Sequence, residues 1–111
     1  MAKLERTLTG DFSRVLTRLE DGVLNGSMSA SLEDSSDFTV GGTQVAVRMF
    51  ERYSWSGNNR VAMSLTLVGD GTRLHLTAIT AGGSQAMFFK INTWGEEAFL
   101  DTLAQVLDEL R

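Results

Sequence analysis

The chain has 111 residues, 42% hydrophobic and 22% charged, with a net charge of −4, which fits a single folded domain over 1–111 and excludes a disordered chain. There is no cysteine, so disulfides, thiolate metal sites and a cysteine nucleophile are excluded. The ten bases, eight of them Arg, are scattered, and no stretch approaches the ~18 apolar residues of a membrane span; neither nucleic acid nor a membrane is an expected partner.

The start, MAKLERTLTGDF, has no apolar signal core, so a cytoplasmic protein is expected. Residues 2–8 read as a short strand with Leu4 and Leu8 on one side. The period then changes. Phe12, Val15, Leu16, Leu19 and Val23 form one helical stripe, with Thr9 as the expected cap, Asp11 in the first turn and Gly22 as the stop. Asn25-Gly26 completes that turn. Met28, Ala30 and Leu32 alternate with Ser27, Ser29, Ser31 and Glu33, the pattern of a half-buried strand, and EDSSD at 33–37 reads as a short acidic turn.

The segment TQVAVRMFERYSW continues in period two, with Val45, Val47 and Met49 assigned to the core and Ala46, Arg48 and Phe50 to the other face. After a turn at SGNN, Val61, Met63, Leu65 and Leu67 mark the next strand, and GDGT at 69–72 signals a tight hairpin of type I′. Leu74, Leu76 and Ala78 share a face of the strand that follows. SQAMFFKI, after Gly82-Gly83, reads as a last strand. Thr93 and Glu96 have the spacing of a capping box opening a final helix, whose stripe is Phe99, Leu103, Val106, Leu107 and Leu110.

These elements imply an α+β fold. A meander of about five antiparallel strands, with a sixth from the N-terminal segment, would carry both helices on one face as a two-layer sandwich. That element order is similar to the TATA-binding-protein-like and helix-grip architectures, which place a helix near each end of a curved antiparallel sheet. The stretches NGSMSASLEDSSDF, FERYSW and GGSQAMFFKINTWGEEAFL resemble those of a small bacterial family of unknown function. The resemblance implies no activity, no cofactor and no catalytic or binding residue.

Gly82-Gly83-Ser84 invites comparison with a phosphate cradle, but these glycines lead into an apolar run with no Walker lysine, so a break between strands is the better reading. His75, the only histidine, alternates with Leu74 and Leu76 and should face solvent without a catalytic partner. Glu33, Asp34 and Asp37 lack the spacing of a calcium loop, and no metal site is expected. No catalytic constellation can be assembled, and the reading leans away from an enzyme.

Two functional readings remain. The first is a noncatalytic interaction module that forms a homodimer through the sheet face away from the helices. Phe50, Ile79 and Phe88 would supply the apolar patch there, with Arg48 and Arg52 at its rim. The second is a helix-grip binder of a small apolar ligand, held between the last helix and the sheet. Tyr53, Trp55, Gln85, Phe89 and Phe99 would line that pocket, with Arg60 and Trp94 at its mouth.

Overall fold

The computed structural model describes residues 1–53, 60–82 and 89–110, with side chains described at 1–53, 60–82 and 97–110. The element order is β1 (Ala2–Thr9), α1 (Phe12–Asn25), β2 (Ser31–Val40), β3 (Thr43–Tyr53), β4 (Arg60–Asp70), β5 (Arg73–Gly82) and α2 (Phe89–Glu109). The strands form one antiparallel sheet in the order β1-β5-β4-β3-β2. Both helices pack against the same face of it. The fold is therefore the expected α+β arrangement, with the N-terminal strand as one of the five.

The α1 stripe is buried as its period requires, at Phe12, Val15, Leu16, Leu19 and Val23. Its cap is Asp11 rather than Thr9. Thr9 closes β1, Gly10 turns the chain by donating to the Thr72 carbonyl at 3.0 Å, and the Asp11 carboxylate accepts from the Arg14 amide at 3.0 Å. Gly22 does not stop the helix, which continues to Asn25. Gly22 lies where α1 meets α2, and a Cβ there would collide with the Val106 side chain. The glycine signal thus reports a close helix approach and not a terminus.

The segment expected as the first meander strand is displaced. Met28 and Ala30 lie outside any strand, Met28 fully exposed and Ala30 half-buried, and β2 runs from Ser31 to Val40. The acidic EDSSD is therefore strand, not turn. β2 is an edge strand exposed on both faces, so burial imposes no apolar alternation on it, and charged side chains suit an edge. An irregularity between Leu32 and Asp34 leaves Glu33 as the extra residue.

In β3 the phase is inverted. Ala46, Arg48 and Phe50 are buried toward the helices, whereas Val45, Val47 and Met49 face away from them. TQVAVRMF carries apolar residues at both phases, so alternation alone has two solutions, and a one-residue slip exchanges every side chain. Pairing with β4 decides between them: Ala46 opposes Leu67, Arg48 opposes Leu65 and Phe50 opposes Met63.

β4 and β5 follow the expected phase, with Val61, Met63, Leu65 and Leu67 buried beside Leu74, Leu76 and Ala78. Their turn is Gly71-Thr72, with positive φ at Gly71 alone. That is the requirement of a type II′ turn; type I′ needs positive φ at both positions, which Thr72 does not adopt.

The last strand and the Thr93 cap are corrected together. Phe89 to Ile91 belong to α2, which places Thr93 within the helix; residues 83–88 lie outside the described part. No Gly separates Phe89 from Thr93, and a short apolar run carries no signal that tells strand from buried helix. Farther along, Phe99, Leu103, Val106 and Leu107 are buried as the stripe predicts. Each such side chain contributes about 1.5–3 kcal/mol by leaving water. No described helix is long and apolar enough to cross a membrane.

Candidate functional site

The two faces of the sheet differ in chemistry. On the helix side, Arg48 sits between α1 and β2 with 7% of its surface exposed. Its Nε donates to Glu20 Oε2 at 2.5 Å, Nη1 lies 2.9 Å from Asp37 Oδ1 and also donates to the Val47 carbonyl. Burial alone would lower the guanidinium's pKa, but the hydrogen bonds and charges of Glu20 and Asp37 outweigh it, and the net shift is upward. Arg52 shares this side, 4.6 Å from the centre of the Phe99 ring, and burial lowers its pKa.

The sequence-predicted interface residues Arg48, Phe50 and Arg52 therefore lie on the helix side, and Phe50 is wholly buried. The cause is the inverted phase of β3. Ile79 does face outward, with 39% of its surface exposed. Phe88 lies outside the described residues.

Of the predicted pocket residues, the described Tyr53 and Phe99 do not come together. Phe99 is wholly buried in the core, whereas Tyr53 is exposed on the opposite side of the sheet, 5.7 Å from the Arg60 guanidinium, which pairs with Glu51. Trp55 and Gln85 lie outside the described residues, and Phe89 and Trp94 belong to α2 at positions without described side chains. Gly82 ends β5 opposite Val61; Gly83 and Ser84 lie outside the described residues.

Depressions occur among the described residues, two of which lie beside the helices. One, of about 260 Å³, lies between Arg6–Thr9 of β1, Val15 and the end of α2 at Leu107 and Leu110. The other, of about 360 Å³, lies between Phe12 and Leu16 of α1 and Asp37 to Thr39 of β2, beside Arg48. Arg48 is already neutralised by two carboxylates, so it offers no free cation for an anionic ligand. Among the described residues no three His, Cys, Asp or Glu side chains group as metal ligands.

The face away from the helices carries an apolar surface, built mostly from residues that sequence reasoning placed elsewhere. Three register rows cross it from β1 to β2. They read Lys3, Ile79, Ser64, Met49, Asp34; then Glu5, Thr77, Thr66, Val47, Ser36; then Thr7, His75, Val68, Val45, Phe38. The apolar side chains gather toward β3 and β2, where Met49 is 37%, Phe38 48% and Val40 67% exposed. The sequence pattern places Val45, Val47 and Met49 in the core, and Phe38 and Val40 follow the stretch it reads as an acidic turn. The Gly41-Gly42 pair between two runs of strand-forming residues was the available hairpin signal.

The β1–β5 side of this face is polar. His75 Nε2 and Thr77 Oγ1 each lie 3.3 Å from Glu5 Oε2, and Lys3 Nζ lies 3.8 Å from Glu5 Oε1. The hydrogen bond to His75, then that to Thr77 and the charge of Lys3, hold the Glu5 carboxyl below its usual range. His75 is exposed as its alternation predicts, with Glu5 as its partner.

No curated protein matches the sequence. Among solved structures, the chain is similar to the solution structure of Chr148 from Cytophaga hutchinsonii, at 10% identity and a TM-score of 0.41, over 96% of this chain and 91% of that one. It is also similar to the crystal structure of Mll3558 from Rhizobium loti, at 20% identity and a TM-score of 0.34, over 95% of this chain and 94% of that one. The DUF6054 family, a family of unknown function, matches residues 1–111, and the chain belongs to it.

Proposed function

We propose that this chain is a noncatalytic interaction module that acts as a homodimer, with the sheet face opposite the helices as the contact surface. The observation that carries this reading is the uncovered apolar area formed by Phe38, Val45, Val47, Met49 and Ile79, on the face that neither helix covers. Exposed apolar area with a polar border is characteristic of association surfaces. Five strands about 4.8 Å apart and roughly ten residues long present an area of about 800 Å², the usual contribution of one partner to a stable interface. A second copy is the simplest occupant, because a two-fold contact uses one face twice.

The alternative, a helix-grip binder of a small apolar ligand, is less favoured. Its lining set included both Tyr53 and Phe99, which lie on opposite sides of the sheet.

Light scattering at micromolar concentration tests the proposal. The parent is expected at about twice 12.1 kDa, and Ile79→Glu at the monomer mass. A parent of monomer mass overturns it.

A further inference from the structure

We infer that the second copy docks with its two-fold axis running along β4, so that β1 of each copy lies across β2 of the other and Lys3 meets the partner's Asp34. This rests on the proposed contact face and adds the geometry of the contact.

Two sheets that meet through one shared face are related by a two-fold axis lying between them. For aligned sheets that axis runs along the strands or across them. β4 is the central strand of the order β1-β5-β4-β3-β2. An axis over β4 places β1 on β2, β5 on β3 and β4 on itself. The row through Ser64, near the middle of β4, is then self-complementary: Lys3 faces Asp34, Ile79 faces Met49 and Ser64 faces Ser64. Opposite charges meet at both ends of the row, with apolar side chains between.

An axis across the strands places every strand on itself. Through the Ser64 row it sets Lys3 on Lys3 and Asp34 on Asp34; through the Thr66 row it sets Glu5 on Glu5; midway between the two it sets Lys3 on Glu5 but leaves Asp34 on Ser36, without a cation. Like charges directly opposite are destabilising. Edge-to-edge pairing of β2 fares no better, since the antiparallel register centred on Ser35 and Ser36 opposes Asp34 with Asp37. The crossing of aligned sheets by about 30° offsets the outer strands by roughly 5 Å, within reach of a lysine side chain.

A charge swap tests the axis. Lys3→Asp and Asp34→Lys are made singly and together, and the dimer dissociation constant is measured by sedimentation at low salt. Each single change is expected to weaken the dimer by about tenfold, because it places like charges together at both symmetric contacts. The double variant is expected to recover to within about threefold of the parent. Cysteine is absent from the chain, so Ser64→Cys and Val68→Cys give a second, independent readout. Both are expected to be joined between copies by a short bismaleimide, since both lie over an axis along β4. A dimer that Ile79→Glu dissociates, but that shows no double-variant recovery or joins at only one of the two cysteines, overturns the axis and leaves the face. A monomeric parent overturns both.

Discussion

The β4–β5 hairpin turns at Gly71-Thr72 and the β2–β3 hairpin at Gly41-Gly42, each with positive φ at the first turn residue only. Beyond the turn they diverge. In β4 and β5 every helix-side position from Val61 to Leu67 and from Leu74 to Thr80 is buried, and the other phase is mostly Thr, Ser and Ala. In β3 the helix side holds Ala46, Arg48, Phe50 and Arg52, while the far side holds Val45, Val47 and Met49; β2 is exposed throughout except at Ser31. Central strands carry their orientation in their own composition. Edge-proximal strands take theirs from pairing and from the ion pairs of Arg48.

The largest expected effect tests that inversion. Phe50→Ala should cost about 3–5 kcal/mol, because it opens a cavity beneath a wholly buried ring, and Leu65→Ala on β4 should cost about 2–5 kcal/mol. Met49→Ala, one residue away on the exposed face, should cost under ~1 kcal/mol in the monomer. Midpoints in chemical denaturation read all three. Equal costs for Phe50→Ala and Met49→Ala would erase the difference between the hairpins.

A smaller effect is expected at Arg48, which ties β3 to α1 through Glu20 and to β2 through Asp37. Arg48→Leu removes both pairs and leaves Glu20, largely sheltered, without its cation. Truncating one partner of a buried pair costs about 3–5 kcal/mol, and the exposure of Asp37 reduces that to about 1–3 kcal/mol here. Hydrogen exchange should locate the loss in β2 and the Glu20 turn of α1, while β4 amides stay protected. Uniform loss across the sheet would mean that Arg48 supports the core and not the edge.

Most of the element order was legible. The α1 stripe, the phases of β4 and β5 and the α2 stripe from Phe99 onward are each buried on one side, which is what periodicity reports. β2 escaped because an edge strand exposed on both faces has no apolar period to read. The β3 phase escaped because both of its faces carry apolar side chains. The start of α2 escaped because the capping-box spacing of Thr93 and Glu96 occurs by composition inside a helix already begun at Phe89. The candidate surface was legible as a place, the face away from the helices, but only Ile79 of its expected described residues occupies it. One misread phase moved Arg48, Phe50 and Arg52 together, as the strict period of a strand requires.

The smallest expected effect contrasts the two edges of the sheet. The β2 edge is fastened by a buried guanidinium, whereas the β1 edge carries an exposed cluster of Glu5, His75, Thr77 and Lys3. The Glu5 carboxyl titrates below its usual range, chiefly through its hydrogen bond to His75. A group whose pKa is lowered on folding contributes stability above its unfolded value, and that contribution is lost as pH falls through the folded value. The cluster is open to water and screened by salt, so the contribution is slight. In an NMR titration, His75→Ala should raise the Glu5 pKa toward the ordinary carboxylate range, and Thr77→Val should raise it less. Added salt should narrow the difference between parent and variant. A Glu5 pKa unmoved by either substitution would mean that neither hydrogen bond persists in solution, and that pairing of β1 with β5 draws on the backbone ladder, the Thr80 hydroxyl bond to the Ala2 carbonyl and the packing of Ala2, Leu4 and Leu8.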